Sequence, residues 1–299
     1  MSLKRTSAVA TSALLLGGLA AVQAGTAEAT TSAACTMTVG SITSGGDIGS
    51  SAITASSPVA AKQSTGVHIF SPGIAKISTT WTRRPKSSSG DLTSGEVLLN
   101  TTLYSAWYGT DTTGKPITGL SNAGKNYGGY IVDERTSYLP SGPEMATYRL
   151  RSDGVLYRFD HHWTNFPYDT VYHYNGFAAV KTMALISETK TYDTFLANTR
   201  AGALYTIHIP KNAALKPVVT KIRTSTWQTF ESLVTERCGN QSTLLTAIDK
   251  DTGSAYLYAV GHATGASTVI KGLGKVPGTY KDSVYYRHTT EGVAPLNGE

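Results

Sequence analysis

Charge is scarce in this 299-residue chain: Asp, Glu, Lys and Arg together make up 15% of it, against roughly 25% in an average soluble protein. Cysteine is scarcer still, with only Cys35 and Cys238. Two distant cysteines cannot form a four-ligand zinc site, and no CxxC pair is present. No stretch after the first thirty residues is apolar enough to span a membrane, and no segment carries a convincing amphipathic helical pattern. The catalytic signatures GxSxG, HExxH and the Walker loop are all missing. These absences argue against a helical protein, a membrane-inserted protein and the common hydrolase and nucleotide-binding classes. Gly (30), Tyr (17) and many Thr and Ser take the place of charge, a mix that favours strands and turns.

The N-terminus reads as a secretory signal peptide over residues 1–29. Lys4 and Arg5 supply a positive start, Ala13 to Val22 is free of polar side chains, and Ala27-Glu28-Ala29 fits the small-x-small cleavage pattern. The apolar run is too short for a bilayer span, which needs about 20 residues. Cys35 follows Ser32-Ala33-Ala34, without the apolar residue that opens a lipoprotein box. The expected location is therefore extracellular, where Cys35 and Cys238 meet oxidising conditions and can pair. Such a bridge closes a long loop and adds several kcal/mol in the chain-entropy model. Removing residues 1–29 lowers the formal charge from +6 to about +5. The remaining Lys and Arg are scattered, with Arg83-Arg84-Pro85-Lys86 the densest group, which suits a solvated surface better than a nucleic-acid face. Residues 30–64, rich in Ser, Thr, Ala and Gly, read as an N-terminal extension holding at most a short strand at Met37-Thr38-Val39.

From there on a Leu-Tyr pair recurs at Leu103-Tyr104, Leu156-Tyr157, Leu204-Tyr205 and Leu257-Tyr258, at intervals of 53, 48 and 53 residues. The last three pairs follow turn residues that end in Gly154, Gly202 and Gly253, each preceded by a short apolar or alternating run. Strand, tight turn, strand is the natural reading. Phe177 and Phe230 each stand 27 residues before their Leu-Tyr pair, with Val180 and Leu233 three residues further on, which places another strand in both repeats. His68-Ile69-Phe70 reads as a degenerate further copy, though too close to Leu103 for a full repeat. Three or four strands per fifty residues describe the blade of a β-propeller, here all-β over residues 65–299 with about five blades and four or six also open. Tyr280 and Val284-Tyr285-Tyr286 begin a repeat that then stops, so N-terminal strands would complete the last blade. A pair of β-sandwiches is the competing architecture, and it would not naturally produce the period.

The Gly-turn-Leu-Tyr strands at Asp153-Gly154-Val155-Leu156-Tyr157 and Ala201-Gly202-Ala203-Leu204-Tyr205, with Trp227-Gln228-Thr229-Phe230-Glu231-Ser232-Leu233, resemble the repeats of tachylectin-type β-propellers. The resemblance is clearest from about Phe177 to Val260, fainter back to Leu103 and absent before. It implies a secreted lectin that binds N-acetylated hexosamines between blades without a metal or other cofactor. The expected partners are glycans, cell-wall or environmental polysaccharide, bound by a monomer that neither binds nucleic acid nor inserts into membranes.

Trp163, Tyr172 and Trp227 are the candidate ligand-binding residues, since exposed aromatics give rigid contact area for sugar rings. The alternative is that they fill the wedge between blades. Asp160-His161-His162-Trp163, with Asp169 and His173, is the nearest approach to a metal cluster, yet consecutive strand residues point to opposite sides. A glycoside hydrolase on the same scaffold needs two suitably spaced carboxylates, for which Asp133, Glu134, Asp160, Asp169, Glu188 and Glu231 are available. A third reading is an extracellular protein-interaction scaffold with an accessible apolar patch.

Overall fold

The alternation and turn chemistry yield strands throughout. The computed structural model describes residues 34–136, 144–162, 170–212 and 214–299. The expected signal peptide therefore lies outside the described residues. The strands are β1 (Thr36–Ile42), β2 (Asp47–Thr54), β3 (Ala60–His68), β4 (Ala75–Ser78), β5 (Trp81–Ser87), β6 (Gly90–Leu99), β7 (Thr102–Thr110) and β8 (Pro116–Gly124). They continue as β9 (Tyr130–Arg135), β10 (Glu144–Arg151), β11 (Leu156–His162), β12 (Thr170–Tyr174), β13 (Val180–Glu188), β14 (Tyr192–Thr199), β15 (Leu204–Pro210) and β16 (Val218–Arg223). The last are β17 (Ser232–Cys238), β18 (Ser242–Asp249), β19 (Ser254–Val260), β20 (Ile270–Val276) and β21 (Val284–Thr290). One short 3-10 turn at Gly265–Ser267 is the sole helical element among the described residues.

The strands pair as five antiparallel sets. The first runs β21-β1-β2-β3, the second β5-β6-β7-β8 with β4 also on β6, the third β9 to β12, the fourth β13 to β16 and the fifth β17 to β20. A short parallel pairing of β21 with β5 over His288–Thr290 joins the first two sets into one sheet. The C-terminal strand thus completes the N-terminal set, with Val39 opposite Arg287 and Ile42 opposite Val284. The leading strands abut in order, β4 on β9, β9 on β13, β13 on β17, β17 on β21 and β21 on β4, so the contacts close on themselves.

Burial falls from the first strand of a set to the last. β13 (VKTMALISE) is buried along nearly its whole length, and β16 (VVTKIR) is mostly exposed. A strand covered on both faces reads as a continuous apolar run, whereas an outer edge alternates or turns polar. Lys62, Lys221, Lys271 and Lys275 sit on outer strands β3, β16 and β20, where charge discourages edge-to-edge pairing.

One backbone hydrogen bond repeats in all five sets. The N–H of an aromatic residue in the connection to the next set donates to the carbonyl of a hairpin residue: Phe70 to Gly46 (3.1 Å), Tyr127 to Thr101 (2.9 Å), and Phe177 to Gly154, Trp227 to Gly202 and Tyr280 to Gly253 (3.0 Å each). Gly154 and Gly202 take φ of +87° and +92°, and a Cβ at Gly154 would collide with the backbone of Ala178.

This bond sets a common register for the five sets and corrects three expectations. Counted from the accepting carbonyl, the aliphatic position of the third strand is held by Ile48, Leu103, Leu156, Leu204 and Ala255. Leu257-Tyr258 therefore lies two residues beyond the other Leu-Tyr pairs along β19. The first copy is Ile48 on β2, because His68 ends β3 and Ile69-Phe70 belongs to the connection. Phe177 matches Trp227, and Phe230 matches Val180: Val180 N–H donates to Phe177 and Phe230 N–H to Trp227. A fourth correction concerns the boundary drawn at residue 64. Thr36–His68 forms three paired strands, and the compact unit begins at Ala34. Small polar residues disguised these strands, although Met37-Thr38-Val39 does lie in β1.

Cys35 and Cys238 form a disulfide across 203 residues of sequence. It ties the start of the first set to the end of β17.

Candidate functional site

An opening lies between the third and fourth sets. It is a cleft of about 760 Å³ whose lining includes His173 and Tyr174 from β12, Asn175 and Phe177 from the following connection, and Val180 from β13. Tyr205 and Ile207 of β15, Val219 of β16 and the 214–217 segment form the opposite wall.

Strand alternation explains this wall. Tyr205 and Ile207 are two residues apart on β15 and point to one face, while Leu204 and Thr206 point to the other. Ile207 and Ile209 pack with Leu156, Phe177, Val180 and Phe195, and half-buried Tyr174 packs against that cluster. Tyr205 is half-buried, with the Lys221 ammonium 5.7 Å from its ring centre. Leu215 and Val219 are 53% and 51% exposed. Burial raises the Tyr174 hydroxyl above its ordinary pKa, opposed by the Arg158 guanidinium, so it remains a hydrogen-bond donor at neutral pH.

The described lining of the cleft contains no carboxylate; its charged or chargeable nitrogen groups are His173 and Lys216. An apolar floor with aromatic and amide edges can hold a ligand by contact and hydrogen bonding. It does not offer the pair of acids that glycoside hydrolysis uses.

Of the three aromatics expected at a ligand site, the two described, Tyr172 and Trp227, are each packed against other side chains. Trp163 lies outside the described residues. Tyr172 shares a face of β12 with Tyr174, but its ring is covered by Arg158, whose guanidinium carbon stands 4.2 Å from the ring centre. Trp227 is 5% exposed and packs on Phe230 and Tyr258 at 5.5 and 5.2 Å between centroids. It fills the wedge between the fourth and fifth sets. The residues missed were Asn175 and Tyr205; Tyr205 stood in the repeat motif itself, where it was read as scaffold.

Of the candidate carboxylates, Asp133, Glu134 and Glu231 line one small opening of about 120 Å³, apart from the cleft. Asp160 chelates Arg158 at 2.8 Å through both oxygens, and Glu231 pairs with Lys181 at 2.6 Å. Glu188 accepts from the Leu296 N–H at 3.1 Å. Asp133 accepts from Arg149 at 3.1 Å, and burial nevertheless raises its pKa to about 6. Glu134 is raised by burial to about 8, with Arg287 pulling it down and Asp133 and Glu188 pushing it up. Asp169 lies outside the described residues, and His161 and His162 end β11. Among the described residues, no group of three or more His, Cys, Asp and Glu is placed to hold a metal ion. Among them too, no helix is long and apolar enough to cross a membrane.

No protein-family model and no curated protein matches the chain. Among solved structures, the BP39L lectin from Burkholderia pseudomallei is similar at a TM-score of 0.43 and 12% identity, over 80% of this chain and 69% of the lectin chain.

Proposed function

We propose that this is a secreted β-propeller of five blades, of the tachylectin type, that binds glycans without catalysis in the cleft between its third and fourth blades. The observation that carries the binding assignment is that cleft: an apolar floor of Phe177, Val180 and Ile207, a half-buried Tyr205 ring, and Asn175 in the lining. Sugar rings present C–H faces to aromatic rings and hydroxyls to amides, and this wall supplies both. Five four-strand sets, a repeated connection bond and leading strands that abut in a cycle support the propeller. Export is supported by the N-terminal apolar run and by the Cys35–Cys238 bridge.

Binding in place of hydrolysis is the better reading because no described acid lines the cleft. A protein-interaction scaffold is the second reading, favoured by Val171, Leu215, Val218 and Val219, which are 48–56% exposed beside the same cleft.

The test is retention of the purified chain on a glycan array and on chitin and peptidoglycan. Retention that free N-acetylglucosamine competes away supports the lectin. Retention on none of these by folded protein moves the assignment to the scaffold.

A further inference from the structure

The residue just before the connecting aromatic takes a left-handed backbone in three successive sets: Asn126 at φ +71°, Gly176 at +103° and Thr226 at +81°. A side chain strains that conformation and glycine does not. In the third connection the turn is made by glycine, and the residue in front of it is Asn175. Only one other asparagine of the chain precedes a glycine, Asn297 before Gly298.

The pairing matters because an asparagine side chain carries its own leaving group. Once a water-derived base has taken its proton, the backbone nitrogen of the next residue can attack Cγ. A new carbon–nitrogen bond closes a cyclic imide, the Cγ–Nδ2 bond breaks, and Nδ2 leaves as ammonia with a proton from water. Water then opens the imide, at Cγ to give aspartate or at the main-chain carbonyl to give isoaspartate. In sum, one water is consumed and one ammonia released. The reaction needs a nitrogen that is not held in a hydrogen bond, and a side chain able to rotate until the two atoms are in line. A following glycine leaves that approach open.

Asn175-Gly176 meets these conditions. Both residues are exposed, and among the described residues neither the Asn175 amide nor the Gly176 N–H has a hydrogen-bond partner. Apart from its chain neighbours, no described atom lies within 4 Å of the place a Gly176 Cβ would take. The chain is pinned on either side, by Tyr174 opposite Leu156 on β11 and by Phe177 N–H on the Gly154 carbonyl at 3.0 Å. Asn297-Gly298 is the reverse case. Asn297 Nδ2 donates to the Asn240 carbonyl at 2.7 Å, Gly298 N–H donates to the Ile186 carbonyl at 2.8 Å, and the Gly298 carbonyl accepts from Ala263 at 2.8 Å. The attacking nitrogen and the leaving amide are both tied down there.

We infer that Asn175 is a self-modification site, whose side-chain amide the Gly176 nitrogen converts in water to a carboxylate. The product brings an acid to a cleft whose described lining holds none. Its isoaspartate form also lengthens the main chain just ahead of the Phe177 anchor. The reaction requires neither ligand nor enzyme, so it stands or falls apart from the glycan reading of the cleft.

The experiment incubates the full chain at mildly alkaline pH, folded and in concentrated guanidinium, and digests samples with pepsin in acid to halt further conversion. The peptides carrying Asn175 and Asn297 are followed by the mass change from amide to acid, and isoaspartate by enzymatic methylation. Asn175→Gln, checked for a cooperative melt, is incubated alongside, because its longer side chain closes the ring poorly. In the folded chain Asn175 is expected to convert about tenfold or more faster than Asn297, since a pinned site reacts only after local opening. The product is expected to contain isoaspartate, the two sites to converge in guanidinium, and ammonia release by the folded chain to fall in Asn175→Gln. Equal rates at the two sites in the folded chain, or an Asn175 that stays intact, overturn the inference. Aspartate without isoaspartate overturns the imide route, and an Asn297 that stays slow in guanidinium overturns pinning as the cause of the difference.

Discussion

At the scale of single residues, the buried charges separate what holds the chain together from what meets a ligand. Arg149 has a side chain 1% exposed and reaches Asp133 at 3.1 Å and Glu96 at 2.6 Å, while Arg135 holds the other oxygen of Glu96. Removing one partner of a buried ionic network strands the others, at a cost of about 3–5 kcal/mol. Arg149→Ala is therefore expected to lower the unfolding free energy read from urea titration by an amount in that range, and a loss under about 1 kcal/mol would contradict the network. Glu134 makes the opposite kind of contribution. Its folded pKa of about 8 exceeds its ordinary 4.5, so the folded chain keeps a proton that the unfolded chain releases. The stabilisation is complete below about 4.5 and disappears as pH rises through 8. Asp193, raised by burial to about 6, works the same way lower down. Glu134→Gln should flatten the fall in stability between pH 6 and 8 seen in denaturant titrations; parallel profiles for the two proteins would refute it. None of this could be read from the sequence, where these carboxylates stood only as acids of unknown neighbours.

At the scale of strands and connections, the sequence was most informative where apolar side chains recur beside a glycine turn. Leu156 and Leu204 sit at the same place after Gly154 and Gly202, and both are fully buried. The reading slipped where the chemistry of a position changes while its role does not. The connecting aromatic is Phe, Tyr, Phe, Trp and Tyr in turn, so a backbone bond common to all five sets has no common letter. Ala255 holds the aliphatic place in the last set, and the more conspicuous Leu257-Tyr258 two residues on took its place in the reading. β1 to β3 were hidden because their outer residues are Ser, Thr, Lys and Gln, as an exposed edge requires. The break-off of the repeat at Val284-Tyr285-Tyr286 was legible, since a half-formed set leaves an edge that N-terminal strands must cover, and β1 does so. The disulfide reinforces that junction by joining residues 203 apart. Loops of that length give about 5 kcal/mol in the chain-entropy model. Denatured, unreduced protein should show no free thiol, and reduction should lower stability by several kcal/mol; two titratable thiols without reductant would remove the bridge from the account.

At the scale of the whole molecule, the five sets share one plan and differ in how their grooves are filled. The cleft was not legible in the sequence because it arises from what is missing, rings at Val180 and Ile207, and an absence shows only once the repeat is in register. Trp227 drew attention as a large aromatic, yet size is what sends it into the wedge, while the smaller Tyr205 keeps a face toward solvent. The account therefore centres on Tyr205 and Asn175 as the ligand-contacting pair. The most direct test compares wild type, Tyr205→Ala and Asn175→Ala by calorimetric titration with the glycan retained most strongly on the array. Loss of an aromatic contact of about 1 kcal/mol or more predicts a fivefold or greater weakening for Tyr205→Ala, a clear weakening for Asn175→Ala, and unchanged melting for both. Undiminished affinity in both folded variants would place the ligand elsewhere and contradict the assignment of the cleft.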